Sequence, residues 1–130
     1  MVLDRKWFAF ASVNVAIAIA CGAFGAHSLQ TKVDARMLEV WKTSSQYHLL
    51  MSLGLILILL AIPLLTNQKR ASFALKLVAA GTVVFSLSLY LLVLTGAKWL
   101  GMITPIGGVL LISGWLILAT SNSIIKTSVS

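Results

Sequence analysis

Residues 77–97 read LVAAGTVVFSLSLYLLVLTGA, 21 consecutive residues without a charged side chain. At about 1.5 Å of rise per residue, a helix of this length covers the roughly 30 Å of a bilayer's hydrocarbon core. That core offers no water to unpaired backbone groups, so a spanning segment must satisfy them internally. The run lacks the polar alternation that a barrel strand would sustain over its length. The segment therefore predicts a transmembrane helix over 72–96, with Lys76 in its first turn snorkelling toward the interface.

Three more charge-free runs, 7–26, 49–65 and 99–120, flank this one. They predict helices over 7–27, 47–66 and 99–120. The whole chain of 130 residues is 59% hydrophobic and 10% charged, with a mean hydropathy of +1.00. A soluble domain of this size must leave much of its surface in water, which that composition excludes. The expected fold class is an all-α integral membrane protein. It is a single membrane domain over 1–130, a four-transmembrane-helix bundle with a short amphipathic helix between helices 1 and 2. Arg5 and Lys6 ahead of an apolar run, with Ala18–Cys21 behind, only faintly resemble a secretory signal, since Ala18 stands where lipoprotein cleavage sites favour a larger aliphatic. A single cysteine, Cys21, excludes an intramolecular disulfide.

Four spans put both termini on one side. That side collects Arg5, Lys6, Lys69, Arg70, Lys76 and Lys126, against Lys32, Arg36, Lys42 and Lys98 on the other. The positive-inside rule then makes both termini cytoplasmic, and the expected location is a bacterial inner membrane. Trp7, Phe73 and Trp115 fall near the inner interface and Trp41, Tyr47, Tyr90 and Trp99 near the outer, as an aromatic belt would. The formal charge of +7 is read as attraction to anionic headgroups, so membrane lipids are expected partners and nucleic acid is not. Between the first two spans, Thr31 followed by Asp34 resembles a helix start. Val33, Met37, Val40 and Trp41 then share one face of an amphipathic helix over 31–45, resting on the outer surface or leading into the second span.

Hydrophobic burial does not join helices in lipid, so small residues that allow close approach mark the seams. Ala18, Gly22, Gly25 and Ala26 do so on the first helix, Ala79, Val83 and Ser86 on the third, Gly107 and Gly114 on the fourth. Asn14 is the strongly polar uncharged side chain deep in a span, and an interhelical hydrogen bond is its expected role. Ser86, Ser88, Tyr90 and Thr95 make the third helix rich in hydroxyls, which in membrane helices mostly bond their own backbone.

Two clusters have chemical potential. His27 and His48, with Met51 and Met102, are placed near one membrane face, where imidazole and thioether could hold copper(I) or cap a haem. Thr104, Pro105, Gly107 and Gly108 could form a broken span whose N-terminal dipole meets an anion, or a plain proline kink. The ligand spacing matches no strong motif, and interfacial histidines commonly hydrogen-bond backbone or headgroups, so no metal or cofactor is expected. The chain has three acidic residues, Asp4, Asp34 and Glu39, all outside the spans, and no paired carboxylates, nucleophile elbow or phosphate-cradling loop. The sequence does not point to an enzyme.

Several motifs together carry a resemblance. Gly22-Ala23-Phe24-Gly25-Ala26-His27, Tyr47-His48, Gly81-Thr82 with Phe85-Ser86 and Ser88-Leu89-Tyr90, and Thr104-Pro105-Ile106-Gly107-Gly108 with Gly114-Trp115 resemble the small membrane proteins grouped as domain of unknown function 423, to which the eukaryotic transmembrane protein 256 is related. The likeness covers nearly the whole chain, and Met51 departs from it, standing where relatives often have histidine. It implies a four-helix membrane protein and supplies no mechanism. The leading expectation is thus a non-enzymatic helix bundle that associates with itself or with a larger membrane complex, and the alternative is a module that binds or transports a small solute or lipid. The candidate residues are His27, Tyr47, His48, Met51, Tyr90, Thr104, Pro105, Gly107 and Gly108, with Asn14 and Ser86 inside the membrane.

Overall fold

The computed structural model describes residues 3–122, which leaves Lys126 outside the described residues. Helix α1 runs Arg5–His27, opened by Asp4, whose carboxylate accepts the backbone N–H of Lys6 and of Trp7 at 3.1 and 3.2 Å. Helix α2 runs Ala35–Ala61, and Asp34 rather than Thr31 is its cap, accepting the N–H of Met37 at 2.8 Å. It ends at a 3-10 turn, Ile62–Leu64, because Pro63 lacks the N–H that would continue the helix. Helix α3, Gln68–Thr95, is capped by the Asn67 side chain and stopped by Gly96, whose φ of 71° is the left-handed cap that glycine adopts without cost. A second 3-10 turn, Lys98–Met102, leads into α4, Thr104–Ala119. Four helical segments, the fourth being Lys98–Ala119 with its 3-10 turn included, are long and apolar enough to cross a membrane, and the protein is an all-α integral membrane protein.

The segment expected as a separate connector helix over 31–45 is instead the opening turns of α2, so the second of its two expected placements, leading into the span, is the one found. Its apolar face does not rest on lipid. Val33, Met37 and Val40 pack around Leu29, Trp41, Tyr90 and Val93, because α1 and α3 reach far enough outward to cover that face. The other bounds differ less. The third helix begins at Gln68 rather than 72, and the fourth at Thr104 after the 3-10 turn.

The helices pack in chain order, α1 on α2, α2 on α3 and α3 on α4. The Asn67 N–H donates to the Ser121 carbonyl at 2.9 Å and ties the α2–α3 connection to the end of α4. The core joins Leu55, Ile58 and Leu59 of α2 to Leu75, Val78 and Ala79 of α3, with Ala11 and Leu111 from the flanking helices. The α3–α4 seam is a contact of backbones. A Cβ on Gly107 would lie 2.5 Å from the Phe85 nitrogen, and one on Gly81 2.8 Å from the Leu111 nitrogen. Of the other expected seam residues, Gly114, Ala79, Ala18 and Gly25 are buried between helices, whereas Val83 and Ala26 face outward. Phe73, Tyr47 and Trp99 are exposed as a belt requires, but Trp41 and Tyr90 are buried, since the helical rotation of α2 and α3 turns both toward the interior.

Candidate functional site

Polar side chains inside the helices converge on His48, which is 6% exposed and lies halfway along the 27-residue α2. Its Nε2 is 2.9 Å from Asn14 Oδ1 on α1, and its Nδ1 is 3.0 Å from the Tyr90 hydroxyl on α3. Asn14 sets the polarity of this chain. Its amide nitrogen donates to the Phe10 carbonyl at 2.9 Å, so its oxygen faces His48 as an acceptor. A neutral imidazole has one N–H, and here it is placed on Nε2 to serve Asn14, which leaves Nδ1 to accept from Tyr90. One ring thereby ties three helices together.

Further interhelical bonds surround it. The Cys21 thiol and the Ser44 hydroxyl lie against the Tyr90 hydroxyl. Ser44 donates to the Ser86 carbonyl at 2.8 Å, and the Trp41 indole N–H donates to the Cys21 carbonyl at 2.7 Å while its ring packs 4.7 Å from that of Tyr90, tilted by 53°. The indole fits because residue 25 is glycine, where a Cβ would collide with it. One turn beyond His48, the Trp115 N–H of α4 points at the Met51 sulfur, 3.3 Å away. The Ser86 hydroxyl, itself buried, has no partner among the described residues. Each bonded group meets its desolvation cost locally, so the arrangement holds helices in register in a medium that drives no hydrophobic association.

The expected outer cluster of His27, His48, Met51 and Met102 is not assembled. His27 is exposed at the last turn of α1, Met102 is 78% exposed, and Met51 is turned toward Trp115. The reason is the early start of α2, which carries His48 from the outer interface to mid-helix, where both ring nitrogens are taken. No group of three or more His, Cys, Asp or Glu side chains is placed to hold a metal among the described residues.

The Thr104 segment is corrected in part. The fourth apolar segment, Lys98–Ala119, does change here from a 3-10 turn to an α-helix, so a helix starts beside Pro105 and no continuous helix is kinked. Pro105 lies in the first turn of α4, a position that tolerates a missing N–H. The Thr104 hydroxyl does not cap that helix and shares a 2.7 Å hydrogen bond with Ser88 of α3. Gly107 is in the seam, whereas Gly108 has open space where a Cβ would be. Tyr47 is exposed, its ring 5.1 Å from that of Phe85. The structure thus unites Asn14, His48, Tyr90 and, through Ser44, Ser86. Sequence reasoning missed the parts played by Trp41, Cys21, Ser44 and Ser88. A usable signal was the spacing Trp41, Ser44, Ser45, His48, Ser52, a polar stripe at helical period on one face of α2.

Comparison with known proteins bears on the same region. A family described as "Protein of unknown function (DUF423)" matches residues 21–108. The chain belongs to this family. It is 45% identical over 107 residues to a UPF0382 membrane protein of Staphylococcus aureus (strain bovine RF122 / ET3-1), covering 82% of this chain and 86% of the relative. It is 39% identical over 110 residues to the UPF0382 membrane protein YwdK of Bacillus subtilis (strain 168), covering 85% and 89%. No solved structure matches. The DUF423 match takes in Cys21, Trp41, His48, Tyr90 and the Gly81–Gly107 contact, while Asn14 precedes it.

Proposed function

We propose that this DUF423 protein is a non-catalytic helical module that associates within the membrane, with its own copies or with a larger membrane complex, and stabilises that assembly. The observation that carries the reading is on α1. Ala9, Val13, Ala16, Ala20 and Ala23 are all exposed and recur at alternating spacings of four and three, which puts them on one face. That face is opposite Ala11, Ala18 and Gly25, the residues α1 buries. A lipid-facing surface gains nothing from alanine, whereas a second helix does, because small side chains let backbones approach. Inside, the polar groups that could have served chemistry are mostly engaged in hydrogen bonds, between helices at Asn14, Ser44, His48 and Tyr90 and to their own helix at Ser45, Ser52 and Thr82.

The test is a photo-crosslinking residue placed at Ala16 or Ala20 and activated in source membranes, with Leu116 on α4 as the comparison site. The reading expects a discrete protein adduct from the α1 positions. Lipid adducts alone at both α1 positions would refute it. The excess of Lys and Arg at the terminal end supports an orientation with both termini in the cytoplasm of a bacterial cell.

A further inference from the structure

The end of the molecule that carries the N-terminus has a groove the buried polar chain does not touch. Its volume is about 860 Å³, and it lies between the start of α1, the end of α2 and the start of α3. Trp7, Leu60 and Pro63 give it an apolar floor, and Asp4, Gln68, Ser72 and Lys76 a polar edge.

Charge at this end is lopsided. Arg5, Lys6, Lys69, Arg70 and Lys76 are all exposed here. Asp4 is the one acid at this end among the described residues, and its carboxylate is occupied by the cap of α1. Asp34 and Glu39 belong to the opposite end, so the five cations here face one carboxylate, that of Asp4 at the groove's rim, whose Oδ1 is turned to the N–H groups of α1.

Lys76 decides what chemistry fits. Its backbone lies about 12 Å along α3 from Gln68 at 1.5 Å per residue, deeper than Lys69 and Arg70 on the same helix. Side chains on a helix lean toward its N-terminus, so the lysine stem runs back along the groove and lifts the ammonium toward headgroup depth. A cation at headgroup level above an apolar floor matches one class of molecule that every membrane contains. We propose that the groove binds an anionic phospholipid, its phosphate held at Lys76 and an acyl chain lying on Trp7 and Leu60. The proposal goes beyond the assembly reading and stands without it.

Native mass spectrometry of the full chain in detergent, offered equal amounts of phosphatidylglycerol and phosphatidylcholine, tests it directly. One phosphatidylglycerol is expected to stay bound at several-fold higher occupancy than phosphatidylcholine. Lys76→Gln should remove most of that preference. Leu60→Trp, which fills the floor and leaves every charge in place, should lower retention of phosphatidylglycerol. Lys98→Gln, at the far end, should leave it unchanged. Equal retention of the two lipids by the unmutated chain overturns the proposal, and that comparison requires no variant to fold. So does an equal loss in Lys98→Gln and Lys76→Gln, the mark of diffuse attraction, and so does full retention in Leu60→Trp.

Discussion

At the scale of single residues the structure turns on His48. Replacing it with alanine removes both of its hydrogen bonds, strands the Asn14 oxygen and leaves the Tyr90 hydroxyl with only Cys21 and Ser44 beside it. Interhelical bonds in membranes are weaker than burial alone suggests, because the unfolded chain in the bilayer also finds partners. We therefore expect His48→Ala to lower stability by about 1–2 kcal/mol, read from reversible unfolding in mixed micelles. The same geometry fixes the tautomer. In the ¹⁵N spectrum of histidine-labelled protein, His48 should show a protonated Nε2 and a bare Nδ1, and Asn14→Ala should loosen that preference. A protonated Nδ1 in the unmutated protein would mean that the chain Tyr90 to His48 to Asn14 runs the other way. The triad was only partly visible in the sequence. A polar residue deep in a span announces that a partner exists, but Asn14 and His48 are 34 positions apart, and only the rotation of α1 against α2 makes them neighbours.

At the scale of elements, two adjacent glycines give a sharp contrast. A Cβ on Gly107 would press on the Phe85 backbone, which cannot give way as a flexible side chain could, so Gly107→Ala should prise α4 from α3 and cost about 1–3 kcal/mol, as overpacking does. Gly108→Ala meets open space and should leave stability unchanged or raise it by up to about 1 kcal/mol, through the better helix propensity of alanine. Thermal unfolding of the two variants in the same detergent separates them, and similar losses in both would disprove the seam. The sequence favours Gly107, two turns from Gly114 and so on the same face, over Gly108, which is about 100° of helical rotation away, but cannot say which helix that face meets. The spans themselves were legible because an apolar stretch of some 20 residues without charge is long enough to cross the hydrocarbon core and too apolar for a water-facing helix. The start of α2 was not. Residues 35–46 are too polar to read as membrane-spanning, and their apolar face becomes intelligible only once Leu29, Tyr90 and Val93 are seen to cover it.

At the scale of the whole molecule, the chain-order packing leaves α1 and α4 as flanks, each with a single neighbouring helix at close backbone approach. If the terminal end is cytoplasmic, a protease site fused ahead of Met1 should be cut in inverted vesicles and protected in intact spheroplasts, and the opposite pattern would reverse the assignment made from Lys and Arg. The central claim is that the interior serves packing and the outside serves association. A structure of the protein extracted with its native lipid tests this most directly. The account predicts a protein helix, from a copy or a partner, seated on the Ala9–Ala16–Ala20–Ala23 face of α1, and a dry centre with His48 bridging Asn14 and Tyr90. A solitary chain ringed by lipid, with density for a small molecule between His48 and Tyr90, would contradict it.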